Sequence, residues 1–335
     1  QSIKNHILLF LYYIICSKFL SNTHVMYGNG LEAHNLEKSQ PKKVIRVKDL
    51  RKIYRIGDER VVALAKINLE ILQGQICCIV GTSGSGKSTL LNQLAGLEKP
   101  TKGSVFIGRT KISSLSENRL AEFRQRHLGF IFQSYNLMPT MTALENVSLP
   151  LIFKGASRSR RKKAALSMLS AVGLKKRAFH KPTQMSGGQQ QRVGIARAFV
   201  TRPKVIFADE PTGNLDTKTT SEVMKMMVRF ARKHRQTLII VTHDPELADY
   251  ADRVITLIDG NITSDVSHTP IYDGTENCDK SSTDDKKDAV ESEDLIEIPD
   301  SDSDIVLPKL MEDPPALPSD IDLPEETEIK GDSSL

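Results

Sequence analysis

The chain is poor in cysteine and has no apolar run long enough to cross a bilayer. Its four cysteines are Cys16, Cys77, Cys78 and Cys278. No pair has metal-ligand spacing, and no disulfide framework is implied. Cys77 and Cys78 are adjacent inside an apolar run and read as small buried residues, which fits a reducing cytosol. The ten apolar residues from Ile7 to Cys16 fall short of the ~20 a membrane helix needs. No small-x-small cleavage site follows them, which argues against a signal peptide. For the N-terminal extension, residues 1–43, one expectation is that Met26 is the start and residues 1–25 are not native. The competing reading is a weak membrane-surface anchor. Nothing after residue 265 can span a membrane.

Hydrophobic residues make up 39% of the chain, diluted by a polar C-terminal segment. From Asp279 to Leu335 there are 19 acidic and 5 basic residues, a net of −14. The formal charge of the whole is +5, so the rest carries +19. A basic body suits an anionic partner or membrane surface, and ordinary solvated faces explain it equally well. The acidic segment is rich in Ser, with six prolines from Pro299 to Pro324, a composition that predicts disorder. A docking role for Leu295–Leu307 or Ile321–Leu323 stays open.

What the sequence does have is a phosphate loop. Ile76 to Val80 is an unbroken apolar run, suited to a strand buried on both faces of a parallel sheet. Gly81-Thr82-Ser83-Gly84-Ser85-Gly86-Lys87-Ser88-Thr89 follows, with the pattern G-x-x-x-x-G-K-S over its first eight residues. Leu90, Leu91 and Leu94 then recur at helical spacing, and Gly96 can end that helix. Backbone N–H groups of the loop and the helix N-terminus point at bound phosphate. Lys87 should reach the β- and γ-phosphates of a nucleotide, and the Ser88 hydroxyl should ligate Mg²⁺.

Around this loop the spacing predicts an α/β chain. Strands are expected within Val44–Tyr54, at Ile67–Ile71, Ser104–Ile107, Leu128–Phe132, Val205–Ala208, Thr237–Val241 and Arg253–Ile258. Asp259-Gly260 is a hairpin turn signal. Helices are expected at Leu115–Arg126 and Ser221–His234. Gln133 to about Met185 lacks strand runs and holds two helical candidates, Leu144–Phe153 and Ser159–Val172, and so reads as a helical insertion. Arg158, Arg160, Arg161, Lys162 and Lys163 begin the second. They read as a solvated face, with contact to lipid head groups or an acidic loop as the minor alternative.

Two further constellations carry chemistry. The strand Val205–Ala208 runs into Asp209 and Glu210. Strand side chains alternate in direction, so the two carboxylates are not expected to compete for one ligand. Asp209 can address the Mg²⁺ shell, and Glu210 can act as general base for the attacking water. Ser186-Gly187-Gly188-Gln189 precedes a helical stretch to Val200. Ser186 is a natural N-cap, and the glycines open backbone N–H groups to a second phosphate-binding surface. Two such surfaces more than 100 residues apart suggest sites shared between two copies.

In these features, over about residues 44–264, the sequence resembles the ATP-binding cassette (ABC) ATPases. The resemblance rests on the phosphate loop, Gln133 after a strand, the signature Ser186–Gln189, Asp209-Glu210, Asn214-Leu215-Asp216, and His243, in the family's order. Met185 stands where the signature usually begins with Leu. The resemblance implies a P-loop NTPase cassette of the α/β class, with a RecA-like parallel-sheet core, an N-terminal antiparallel β subdomain and an inserted helical subdomain. The implied domains are the cassette, 44–265, with its insertion at about 134–185, and an acidic tail, 266–335. It also implies head-to-tail pairing of two cassettes, with ATP held between the phosphate loop of one and the signature of the other. In that scheme Gln133 senses Mg²⁺ and the membrane partner, His243 contacts the γ-phosphate, Asp216 couples the two sites, and Tyr54 stacks on adenine. For Tyr54 the plain alternative is a strand residue packed on the sheet.

Phe132–Leu137, Glu145-Asn146-Val147, Met185–Arg192 and Asp209–Asp216 are similar to the lipoprotein-release and macrolide-exporter branch. The implied protein is an ATPase subunit on the cytoplasmic face of the cell membrane, joined to a separate transmembrane permease. Nucleic acid is not an expected partner. The alternative is a soluble ABC ATPase acting on ribosomes or DNA, and such chains usually carry two cassettes or a long coiled-coil insertion.

Overall fold

The computed structural model describes residues 42–274. The acidic segment from Asp279 and the first 41 residues, with the Met26 question, lie outside them. In chain order the strands are β1 (Lys43–Ile56), β2 (Glu59–Leu72), β3 (Ile76–Val80), β4 (Lys102–Ile107), β5 (Thr110–Lys111), β6 (Leu128–Phe132), β7 (Val205–Asp209), β8 (Thr237–Thr242), β9 (Arg253–Ile258) and β10 (Asn261–Ser267). The α-helices are α1 (Lys87–Leu94), α2 (Glu117–His127), α3 (Ala143–Phe153), α4 (Arg158–Ala171), α5 (Gly187–Phe199) and α6 (Thr217–Lys233).

Two sheets result. One is antiparallel, in the order β2-β1-β4-β5. In β2 the alternation expected of a half-buried strand is present, with Ile67, Leu69 and Ile71 buried and Asn68 and Glu70 exposed. The other has the order β10-β9-β3-β8-β7-β6, parallel except for its edge strand β10. The hairpin β9–β10 turns at Asp259 and Gly260, both at positive φ. Strand β10 itself had no clear sequence signature. Its exposed Thr263 and Asp265 and half-buried Ser264 break the apolar pattern of an edge strand that faces solvent.

The six-stranded sheet separates two cores, and each central strand feeds both. Ile76 and Cys78 of β3 pack with Ile206, Ala208, Leu238, Ile240 and the helices α3–α6. Cys77 and Ile79 point the other way, to Phe207, Ile239, Val241, α1, α2 and the antiparallel sheet. The period-2 alternation therefore disappears from the sequence, because both faces are apolar. Burial pushes the Cys78 thiol up and the Cys77 thiol up to about 12. Both are inert packing groups.

Register decides where the chemistry lies. Val80 pairs with Thr242, Asp209 with Val241, and Phe132 with Asp209. Four adjacent parallel strands thus end level. Gly81, Gln133, Glu210 and His243 follow them at the carboxyl edge of the sheet, where ligands of open α/β sheets bind.

Candidate functional site

The loop after β3 is shaped by backbone contacts. The Ser85 amide donates to the Thr82 carbonyl at 3.2 Å, and the Leu90 amide to Gly86 at 2.8 Å. Gly86 has φ +98°, and a Cβ there would lie 2.5 Å from the Ala63 carbonyl oxygen of β2. Only glycine satisfies both conditions. Helix α1 then starts with no side-chain cap and no acidic residue in its first turn. Its N-terminal N–H groups remain available to an anion. Lys87 is 6% exposed. Its Nζ donates to the Thr82 carbonyl at 2.7 Å, which holds the ammonium inside the turn.

Ser88 Oγ donates to Asp209 Oδ1 at 3.3 Å. Burial raises the Asp209 carboxyl above its ordinary value, and the hydrogen bond from Ser88 works against that rise. Asp209 ends β7, whereas Glu210 lies beyond it with φ +44°. Strand alternation is therefore not what separates the two carboxylates. A left-handed backbone, fixed by the Glu210 amide donating to the Val241 carbonyl at 2.8 Å, turns Glu210 away. Its Oε1 lies 2.9 Å from His243 Nδ1, with the Glu210 side chain 23% and the His243 side chain 59% exposed.

Gln133 faces the segment after Glu210. A Cβ on Gly213 would meet Gln133 Nε2 at 2.6 Å, and Asn214 Nδ2 donates to the Gln133 carbonyl at 3.1 Å. Asp216 caps α6 by accepting from the Thr219 amide at 3.0 Å and its hydroxyl at 2.7 Å. These bonds lower its carboxyl below the usual range. They also start α6 four residues before the expected Ser221.

The turn Ser186–Gln189 is built separately. The Gln189 amide donates to Ser186 Oγ at 3.4 Å, and the Ser186 amide to Gln189 Oε1 at 3.2 Å, a capping box. A Cβ on Gly188 would lie 2.8 Å from Thr219 Cγ2 of α6. The hydrogen bonds of Ser186 and Gln189 stay within their own turn and do not reach the loop 81–89.

Tyr54, in β1, is half-buried. Its hydroxyl donates to Glu98 Oε2 at 2.7 Å, and Lys52 Nζ lies 4.9 Å from the ring centroid. Burial and the Glu98 carboxylate raise its phenol. Glu98 and Lys52 carry no motif, so sequence reasoning passed over them. It also passed over Arg197 of α5, which binds the carbonyls of Tyr135 and Asn136, because such side chain–carbonyl contacts leave no pattern.

Comparison with known proteins places this geometry. The family described as ABC transporter matches residues 64–213. An uncharacterized ABC transporter ATP-binding protein of Thermotoga maritima is 46% identical over 236 residues, covering 70% of this chain and 100% of that protein. The lipoprotein-releasing system ATP-binding protein LolD of Geobacter metallireducens is 47% identical, covering 66% and 99%. The macrolide export ATP-binding/permease protein MacB of Rhodopirellula baltica is 46% identical, covering 67% of this chain and 33% of that longer protein. Among solved structures, the dimeric post-hydrolysis state of the ATP-binding cassette MJ0796 bound to ADP and Pi matches with a TM-score of 0.63 and 43% identity, covering 67% and 98%.

Proposed function

The chain belongs to the ABC transporter family, as an ATP-hydrolysing ATP-binding subunit like those of the lipoprotein-release and macrolide-export systems, and on that premise we propose how its residues divide the work. The cassette is residues 44–265, with its helical insertion at about 134–185. It pairs head to tail with a second copy and docks on a separate transmembrane permease, at the cytoplasmic face of the membrane. Its own described residues include no helix long and apolar enough to cross a membrane.

The loop 81–89 and the N-terminus of α1 bind the phosphates of ATP, with Lys87 turning from the Thr82 carbonyl to the anion. Tyr54 stacks on adenine. Ser88 and Asp209 suit Mg²⁺, being hard oxygen donors 3.3 Å apart. No cluster of three His, Cys, Asp or Glu that could hold a metal occurs among the described residues. That fits an ion which takes few protein ligands and keeps phosphate and water oxygens. When bound, Mg²⁺ would neutralise charge on the phosphates, and Gln133, which follows β6 at the same sheet edge, would sense it. Glu210 accepts the proton of the attacking water. His243 holds the Glu210 carboxylate in place and offers its other nitrogen to the γ-phosphate side. The copy across the interface supplies Ser186–Gln189 to the same phosphate, and Asp216 links the two sites.

The observation that carries this reading is the Glu210–His243 pair at 2.9 Å, level with Ser88–Asp209 at the carboxyl edge of four strands in register. The test is partner capture. A tagged Glu210→Gln chain with ATP and Mg²⁺ should bring down a permease from native membranes in mild detergent. A four-helix permease with a large external domain supports the reading. Recovery of ribosomal or nucleic-acid partners alone overturns it.

A further inference from the structure

We propose that Arg197 is a positioning residue that latches the Tyr135–Asn136 turn onto α5, so that the Gln133 segment and the signature turn move as one body. The inference rests on the shared-site reading above. Its basis is a run of contacts between the turn that follows β6 and α5. Tyr135 and Asn136 have φ +60° and +48°, consecutive left-handed positions for residues other than glycine. Such positions persist only when their surroundings hold them. Arg197 holds both. Its Nη2 donates to the Tyr135 carbonyl at 2.8 Å and its Nη1 to the Asn136 carbonyl at 2.5 Å.

Among the described residues the guanidinium meets carbonyls there and no carboxylate, and burial lowers its ordinary pKa. A desolvated charge spent on two backbone oxygens is a poor source of stability. It is a good way to fix a backbone, because the planar fork has two directed donors. The fixed turn then carries the Tyr135 ring to the signature. A Cβ on Gly187 would come within 2.8 Å of Tyr135 Oη, and 3.8 Å from the ring carbon that bears it. The hydroxyl therefore lies over the first residue of α5, beside the Ser186 cap. A side chain at position 187 would have to displace the Tyr135 hydroxyl. Only Ser134 separates Gln133 from Tyr135, so displacement of Gln133 at the nucleotide is delivered to the surface that meets the other copy's nucleotide.

The test uses the full chain and reads steady-state ATPase, binding of a fluorescent ATP analogue, and ATP-driven dimerisation in a Glu210→Gln background. Arg197→Gln should leave analogue binding within about twofold while lowering kcat about tenfold or more, as expected when a group is misplaced by about an ångström. Gly187→Ala should lose ATP-driven dimerisation, Tyr135→Phe should be close to wild type, and the double variant should regain dimerisation to within about threefold of wild type. Removing Oη leaves the added methyl at an ordinary contact distance from the ring. If Arg197→Gln does not fold, the Gly187 and Tyr135 cycle decides alone. Gly187→Ala without effect, or not restored by Tyr135→Phe, overturns the latch. A wild-type chain that binds ATP but neither hydrolyses it nor dimerises overturns the functional reading and the latch with it.

Discussion

The loop at Gly81–Ser88 and the turn at Ser186–Gln189 both present a helix N-terminus, yet they are held in different ways. The loop is backbone held by backbone. It leaves a strand buried on both faces, turns through Gly86 against the Ala63 carbonyl, and has no side-chain cap at α1. The signature turn is held by side chains, through the Ser186 and Gln189 capping box and its neighbours Tyr135 and Thr219. A loop of the first kind is complete within one chain. A turn of the second kind can shift when its neighbours shift, which suits the proposed engagement and release of a second copy. The sharpest contrast between the two kinds comes from variants that disable one and spare the other.

The largest effect is expected at the sheet edge. Lys87→Ala should abolish ATP binding, because the ammonium held at Thr82 is the loop's only side-chain charge. Glu210→Gln should keep binding and slow hydrolysis on the order of a hundredfold or more. Light scattering should then find an ATP-dependent dimer that accumulates. A Glu210→Gln chain that remains monomeric with saturating ATP contradicts a site completed by two copies.

A smaller effect is expected in the insertion, and it tests whether side chains do hold that half. Asn146 of α3 is fully buried. Its Oδ1 accepts from the Met138 amide at 2.8 Å, and its Nδ2 donates to the carbonyls of Met138, Met141 and Thr142 at 3.1, 3.2 and 3.0 Å. One side chain thus closes the turn that follows Tyr135 and Asn136. Asn146→Ala leaves buried carbonyls and an amide without a partner and should cost about 2–3 kcal/mol in urea unfolding. Analogue binding at the loop should be retained while ATP-driven dimerisation weakens. Equal loss of both activities would mean that the two halves are not mechanically separate.

The same contrast explains what could be read from sequence. Apolar runs such as Ile76–Val80 and Val205–Ala208 announce buried strands, and each is followed at once by candidate site residues. The phosphate loop, Asp209 and Glu210 were legible for that reason, since strand register brings them level, whereas His243 was legible only through its place in the family's series of motifs. The cap Ser186 was legible too, because it acts within one turn, whereas the answering bond from Gln189 emerged only with the structure. Arg197, Glu98 and Asn146 act across up to 62, 44 and 8 residues through side-chain bonds. An arginine that binds two carbonyls is indistinguishable in sequence from one that faces water. The positive φ of Glu210 was hidden in another way, because a non-glycine residue gives no warning that it will adopt it.

The smallest expected effect lies at the seam between the two regions. His127 ends α2, on the core side, with its ring 4.8 Å from that of Phe123. Burial lowers its pKa from 6.5 to about 4, helped by Lys204, Arg126 and, from the insertion, Lys154. Lys154 is anchored there by donating to the Thr201 carbonyl at 3.2 Å. The unfolded chain takes up a proton at His127 near pH 6.5, and the folded chain resists it until about pH 4. Between those values the unfolded state binds more protons, so this residue's contribution favours folding fully above pH 6.5 and is lost as pH falls toward 4. His234, also lowered by burial, adds to the same trend and is left in place as an internal reference. His127→Gln should therefore reduce the fall in thermal midpoint between pH 7.5 and pH 5 relative to wild type, with little change above pH 7. Identical pH slopes in the two proteins would show that no excluded charge sits at this seam. A reduced slope would mean that mild acid drives a cation between the core and the insertion, loosening the half held by side chains before the half held by backbone.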